Sequence, residues 1–377
     1  MTAEGAIEFE ALEAQAAKLM KLFVDAGYEP VAPAFIQPAS VFLDRIGEAL
    51  RARTYVFTDP NGEELCLRPE MTIPVARVFL EREEERSKAK FCYNGPAFRI
   101  QEGKPNPLSP REFRQAGIEC FGESGSAADI EVLALSVEAV RRSGVKSFTI
   151  KAGHIGLFTA LLKAIQMPQR WRERLAHAFW RPKVFARELL SLSLPHDGRP
   201  LPVPLEALTP EGLLKNLDAR GIRFVGHRRL EEIVKRLQNK AADANETPLS
   251  EDIVRIVENY LHTSGSVPAA FDAIDALLAK ANLDLGGALA RSRALFQDLQ
   301  AAAGDVPIAF EAGFGRHFEY YTGMVFQIEI EGEGAAGQIA GGGRYDGLIR
   351  ALSRGKRDIP AVGAAVHTER LLAASRR

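Results

Sequence analysis

IAFEAGFGRHFEYYTGMVFQIEIEGEGAAGQIAGGGRYDGLIR, residues 308–350, decides how the rest of the chain is read. Apolar and polar residues alternate from Tyr321 to Ile328 and again in the run that ends at Ile339, with a Gly-rich turn between them. That pattern predicts the two strands of a half-buried hairpin. Arg316, Tyr320 and Tyr321 enter the first strand, and Gly341-Gly342-Gly343-Arg344-Tyr345-Asp346-Gly347 follows the second. Consecutive glycines let another group approach the backbone closely, and the tyrosines beside them supply rings with hydroxyls. Apolar walls with a few fixed polar groups line pockets for small polar molecules, so a pocket is expected at this hairpin.

Working outward, two further segments aim polar groups in the same manner. A strand over 54–58, an Asn61-Gly62 corner and a second strand deliver Arg68-Pro69-Glu70-Met71-Thr72. A strand from Lys90 to Ile100 is followed by a Pro-rich loop and an antiparallel return over 111–122, on which Gln115, Gly117 and Glu119 share one face. A carboxylate and an amide facing the same way are either solvated or held by a partner, because burying them alone is costly. The pattern leaves both readings open. Helical spacing predicts a helix over 6–26 closed by Gly27, another over 128–143, and a strand running into a helix at the chain's end. Two prolines in Tyr28–Phe35 confine that stretch to an edge or an interface. Between about 156 and 300 strand signals fade and helical periods take over. The expected organisation is therefore a sheet domain in two parts, 1–155 and 301–377, with a mostly helical insertion over 156–300.

Composition excludes several classes of function. The chain has 48 Lys+Arg against 49 Asp+Glu, a formal charge of -1, so no overall basic field advertises a polyphosphate partner. The mixed charges of 228–240 predict a solvated amphipathic helix rather than a nucleic-acid contact. Cys66, Cys92 and Cys120 are odd in number, widely spaced and set in apolar runs, which predicts buried free thiols. The seven His lack metal-binding spacing, so neither a metal nor any other cofactor is expected. The N-terminus has no basic and apolar leader and no run approaches membrane-spanning length, which gives a cytoplasmic expectation.

The segments GYEPVAPAFIQPASVF (27–42), NGPAFRI (94–100) with REFRQAGIECFG (111–122), and PAVGAAVHTERLL (360–372) resemble the three signature motifs of histidyl-tRNA synthetase. LRPEMT (67–72), GRHFEYYTGMVF (315–326) and GGGRYDGL (341–348) are similar to the segments with which that family holds histidine. The resemblance implies an α+β fold, a class II aminoacyl-tRNA synthetase-like antiparallel sheet flanked by helices. It also implies that Glu70 and Thr72 meet the α-amino group and that Arg99 and Arg316 lie by the carboxylate. Gln115 and Glu119 would line the cleft, and Tyr320, Tyr321 and Tyr345 would surround the imidazole. A homodimer through 28–42 is implied in the same way.

The nucleotide side departs from that family's pattern. Phe98-Arg99-Ile100-Gln101 stands where the family has Phe-Arg-x-Glu, and His367-Thr368 where it has glycine and an apolar residue. An imidazole at such a glycine position is expected to obstruct an ATP site. Arg370 is retained, and the chain ends at Arg377 without the expected anticodon-binding domain. This combination resembles the regulatory subunits of ATP phosphoribosyltransferase, synthetase paralogues of histidine biosynthesis. On that resemblance the chain is not an enzyme, binds L-histidine as a feedback effector, and pairs with a short catalytic subunit and with itself, with no tRNA and no membrane. A truncated histidyl-tRNA synthetase or histidine-activating enzyme is the alternative.

Overall fold

The computed structural model describes residues 6–43, 52–82, 87–101, 110–195, 203–222, 230–315, 320–332 and 337–376. Its strands, in chain order, are β1 (Glu29–Pro30), β2 (Ile36–Pro38), β3 (Val56–Thr58), β4 (Glu64–Leu67), β5 (Ala89–Phe98), β6 (Glu112–Phe121), β7 (Phe148–His154), β8 (Ser264–Ser266), β9 (Ile308–Glu311), β10 (Met324–Ile330), β11 (Gln338–Arg344) and β12 (Ala361–His367). Nine of them form one sheet in the order β1-β5-β6-β12-β11-β10-β7-β9-β8, and β2-β4-β3 form a small second sheet. The body of the large sheet is antiparallel, as expected, with parallel pairs at β1/β5 and β7/β9. Pro30 sits in the edge strand, where its missing N–H breaks no ladder.

The hairpin of 308–350 differs from its expected form. β10 begins at Met324 instead of Tyr321, and the three glycines lie inside β11 instead of after it. The reason is steric. β11 is squeezed between β10 and β12, so a Cβ on Gly342 would sit 2.2 Å from the Gly363 carbonyl oxygen, and one on Gly343 2.5 Å from that of Met324. Glycines carry no side-chain alternation, so the sequence pattern stops at Ile339 although the strand does not.

The two faces of the sheet follow from the register. Cys92, Ile118, Cys120, Val362 and Ala364 fall on one face, and helices Ala6–Asp25 and Ser126–Arg142 pack against it. The three thiols are free and buried. The other face carries Tyr93, Gln115, Gly117, Glu119, Gly363 and Ala365, in cross-strand rows. Phe79 of helix Thr72–Arg82 stacks on Phe121, with ring centroids 4.5 Å apart, and so covers one end of that face.

The chain divides into two units, residues 1–164 with 259–377, and residues 165–258. Helices Val267–Ala281 and Ala288–Ala303, which sequence spacing assigned to the insertion over 156–300, belong to the sheet unit. Phe271 and Phe296 meet Phe310 of β9 with centroids 4.8 and 4.9 Å apart. Helical period reports an apolar stripe, not which neighbour covers it. In the smaller unit the Asp243 carboxylate accepts from Arg170 Nε and Trp171 Nε1 at 2.6 Å and from Arg174 Nη1 at 2.9 Å. Helix Leu230–Asp243 buries Val234 with Val203, Leu208 and Leu213 and leaves Glu231, Glu232, Lys235, Arg236 and Lys240 exposed, as its pattern predicts, while Asp243 turns inward. No helix among the described residues is long and apolar enough to cross a membrane.

His154 caps helix Ile155–Ala164: its Nδ1 accepts the Leu157 N–H at 2.9 Å. Burial lowers its pKa to about 4, so the neutral ring is the folded form. An unfolded histidine titrates near pH 6.5, so this group's contribution is intact above about pH 6.5 and is lost as pH falls toward 4, by about 3 kcal/mol at most. His154→Asn, which keeps a capping oxygen, is expected to flatten the loss of thermal stability between those pH values.

Candidate ligand pocket

The candidate site lies on the polar face where β5, β6, β12 and β11 run side by side. Gly117 is opposite Tyr93 on β5 and Ala365 on β12; Glu119 is opposite Gly363; Ala365 is opposite Gly341 and Gly363 opposite Gly343. The small residues of these three adjacent strands leave room for the larger side chains beside them: Tyr93 lies over Gly117, Glu119 over Gly363 and Tyr321 over Gly343. Glu119 is 1% exposed. The Tyr345 hydroxyl donates to Glu119 Oε2, and the Tyr93 hydroxyl donates to Oε1 at 3.2 Å. A Cβ at Gly363 would lie 1.7 Å from Glu119 Oε2, so this carboxylate has its position because its cross-strand neighbour has no side chain.

Glu70 comes from the turn after β4. Its Oε2 accepts the Thr72 N–H at 2.7 Å and its Oε1 the Ile73 N–H at 2.8 Å, which caps helix Thr72–Arg82. The Thr72 hydroxyl lies near Glu70, Glu119 and Tyr320, and so sits between the two acids. Burial pushes the Glu119 carboxyl up to about 8; its hydrogen bonds from Tyr345, Thr72 and Tyr93 oppose the rise and the nearby Glu70 adds to it. Burial also raises Glu70, against the pull of its two amides, Thr72 and the Arg99 charge. Two acids held this way disfavour their own charge and gain from an arriving cation.

Tyr320, Tyr321 and Tyr345 close the pocket as a ring cluster. Their centroids are 4.9 Å (320 to 321), 5.6 Å (320 to 345) and 6.3 Å (321 to 345) apart, and all three rings are buried. Gly343 must be glycine here as well, since a Cβ would come 3.0 Å from Tyr321 Cδ1. Of the residues singled out by sequence, Glu70, Thr72, Glu119, Tyr320, Tyr321 and Tyr345 therefore converge. Arg99 stands at the edge, Nε donating to the Pro69 carbonyl at 2.8 Å and its guanidinium 4.8 Å from the Phe113 ring centroid. Gln115 is buried on the same face opposite His367, and its Oε1 has no hydrogen-bond partner. Arg316 lies outside the described residues.

Tyr93 and Gly363 were missed by sequence reasoning. Both are set by register: Tyr93 faces Gly117 only because the β5–β6 hairpin is centred in the long loop after Phe98, which strand patterns do not locate. His367 lies 5.6 Å ring to ring from Phe113, and the Arg370 Nη1 donates to the Gln338 carbonyl at 3.1 Å.

The profile of the family described as Histidyl-tRNA synthetase matches residues 6–199 and 208–371. Among curated proteins, the ATP phosphoribosyltransferase regulatory subunit of Brucella anthropi is 34% identical over 89% of this chain and 90% of its own length. That of Mesorhizobium japonicum is 34% identical over 94% and 96%. The chain belongs to the ATP phosphoribosyltransferase regulatory subunit family. A solved structure from Bacillus halodurans, described as an ATP phosphoribosyltransferase regulatory subunit/histidyl-tRNA synthetase, has a TM-score of 0.70 at 22% identity and covers 99% of this chain and 81% of that one. The histidine–tRNA ligase subunit of Alicyclobacillus acidocaldarius has a TM-score of 0.59 at 23% identity, over 100% and 96%. These two establish that this regulatory-subunit chain has the synthetase-like fold.

Proposed function

We propose that this regulatory subunit binds L-histidine in the pocket above and transmits feedback inhibition to a short ATP phosphoribosyltransferase catalytic subunit, without catalysis of its own. One observation supports the reading: two buried acids, Glu70 and Glu119, and three tyrosine rings are gathered over a glycine-rich stretch of the sheet. A zwitterion with a ring that can be protonated supplies what such a place lacks, a cation for the acids and a flat body for the rings. Arg99 would face the ligand's carboxylate from the pocket edge, with Arg316 as the second cation proposed for it. Feedback then requires that histidine favour one state of the assembly over another, and the coupling is reciprocal between histidine and the catalytic subunit's substrates.

The test is calorimetry with L-histidine on the purified chain, followed by co-purification with the short catalytic subunit and assay of that enzyme with and without histidine. Glu70→Ala is expected to lower histidine affinity at least tenfold, because a buried charged hydrogen bond contributes about 1.5–3 kcal/mol, and to relieve feedback while the hetero-oligomer still assembles. Undiminished affinity in that variant counts against the pocket.

Self-association through 28–42 is proposed on the exposure of Phe35 and Ile36, 52% and 51%, which leaves an apolar surface suited to a second copy. Sedimentation of the chain alone reads it. Against the reading as an enzyme that activates histidine stand His367 and Phe113, a pair of rings 5.6 Å apart at the positions where the sequence resemblance expects room for a nucleotide. Histidine-dependent exchange of pyrophosphate into ATP by this chain alone would restore it.

A further inference from the structure

Arg68 is 1% exposed; its hydrogen bonds go to backbone oxygens, its guanidinium faces a ring, and Glu70 and Tyr93 are the ionisable groups that act on its charge. Its Nη1 donates to the Pro33 carbonyl at 2.5 Å and its Nε to the Pro96 carbonyl at 2.7 Å. Its own N–H donates to the Phe35 carbonyl at 2.9 Å, and its guanidinium carbon lies 4.4 Å from the Phe35 ring centroid. Gly95 makes room for the fork, since a Cβ there would come 2.7 Å from Nη2. Burying a guanidinium is costly, and filling space alone would be served by an apolar chain of similar length. What the fork does that an apolar chain would not is tie three separate stretches together: the Pro33–Phe35 segment, the end of β5 and the turn that carries Glu70. Phe35 is the outer member of this set, with one side of its ring on the guanidinium and half of its surface exposed.

We infer that Arg68 is a positioning residue that braces the Glu70 turn against the Phe35 segment, so that a change at the exposed Phe35 ring is felt by the acid in the pocket. The functional consequence rests on the proposed reading of Glu70 as a ligand contact; the brace itself is readable without any ligand. Whatever covers Phe35 would then alter how well the pocket is formed, and occupancy of the pocket would alter that surface in return.

The readout is hydrogen exchange at the Thr72 and Ile73 amides, which Glu70 holds, in the full chain without histidine. Phe35→Leu, measured at a concentration where sedimentation shows both proteins in the same association state, is expected to speed both by roughly threefold to tenfold, the size of a partly buried cation–π contact. In an Arg68→Met background the same Phe35→Leu change is expected to add nothing. If Arg68→Met fails to fold by circular dichroism, Arg68→Lys, which keeps the charge and loses the fork, takes its place under the same criterion. Equal effects of Phe35→Leu with and without Arg68, or no effect in either, overturn the brace. Calorimetry on the unaltered chain is a separate arm: absence of histidine binding sinks the proposed function and leaves the amide result to decide the brace.

Discussion

Gly363→Ala is expected to weaken histidine binding while the chain still folds. The added methyl would stand 1.7 Å from Glu119 Oε2 and 2.7 Å from the Ile118 carbonyl oxygen. The carboxylate is the softer of the two obstacles, so it turns away and gives up its hydrogen bonds with Tyr345 and Tyr93. A ligand cation that can no longer reach Glu119 loses one charge-assisted hydrogen bond of about 1.5–3 kcal/mol, so the expected calorimetric result is a fall in affinity of roughly tenfold to a hundredfold. The strand must also shift slightly, adding about 1–3 kcal/mol of destabilisation, visible as a lower melting temperature. Binding that survives with unchanged affinity would place the ligand somewhere other than beside Glu119.

The largest loss of stability is expected from Arg344→Met. Arg344 and Asp129 are both buried, joined Nε to Oδ1 at 2.8 Å. The same guanidinium donates from Nη1 to the Glu123 carbonyl at 2.9 Å and to Asp346 Oδ1 at 3.0 Å, and from Nη2 to the Gly125 carbonyl at 3.0 Å. It therefore pins β11 to the start of helix Ser126–Arg142. Removing one member leaves Asp129 buried without its cation, a cost of about 3–5 kcal/mol measured by denaturant unfolding. Arg344→Met combined with Asp129→Leu is expected to recover part of that loss, because the stranded charge is then gone. A loss no greater in the single variant than in the double one would show that the pair is not what holds this corner.

Arg344 also marks the limit of reading a motif from sequence. It stands within Gly341–Gly347, between glycines and a tyrosine of the pocket, and nothing in the string says that it points into the helix layer while Tyr345 turns to the acids. The strands β5, β6 and β12 were legible as apolar-rich runs bounded by Gly and Pro, and so was the first helix's end, where Gly27 takes a φ of +88°. The turn at Asp59–Glu63 was legible as well: the Asp59 Oδ1 accepts the Asn61 and Glu63 N–H groups. What escaped was everything fixed by pairing across strands. The neighbour of Glu119 is a residue 244 positions later, and the extent of β11 is hidden by glycines that have no side chain to alternate. The helical segment was bounded too widely for a similar reason, since the stripe on 267–303 gives no hint that β9 is what it covers.

Glu70 carries one more implication. Both of its oxygens already hold the first two amides of helix Thr72–Arg82. Each oxygen retains a spare lone pair, so an ammonium group can join without evicting either amide. The guest and the opening coil would then share a single anion, and the start of that helix should stiffen or slacken with occupancy, giving the pocket a built-in reporter several residues from any surface.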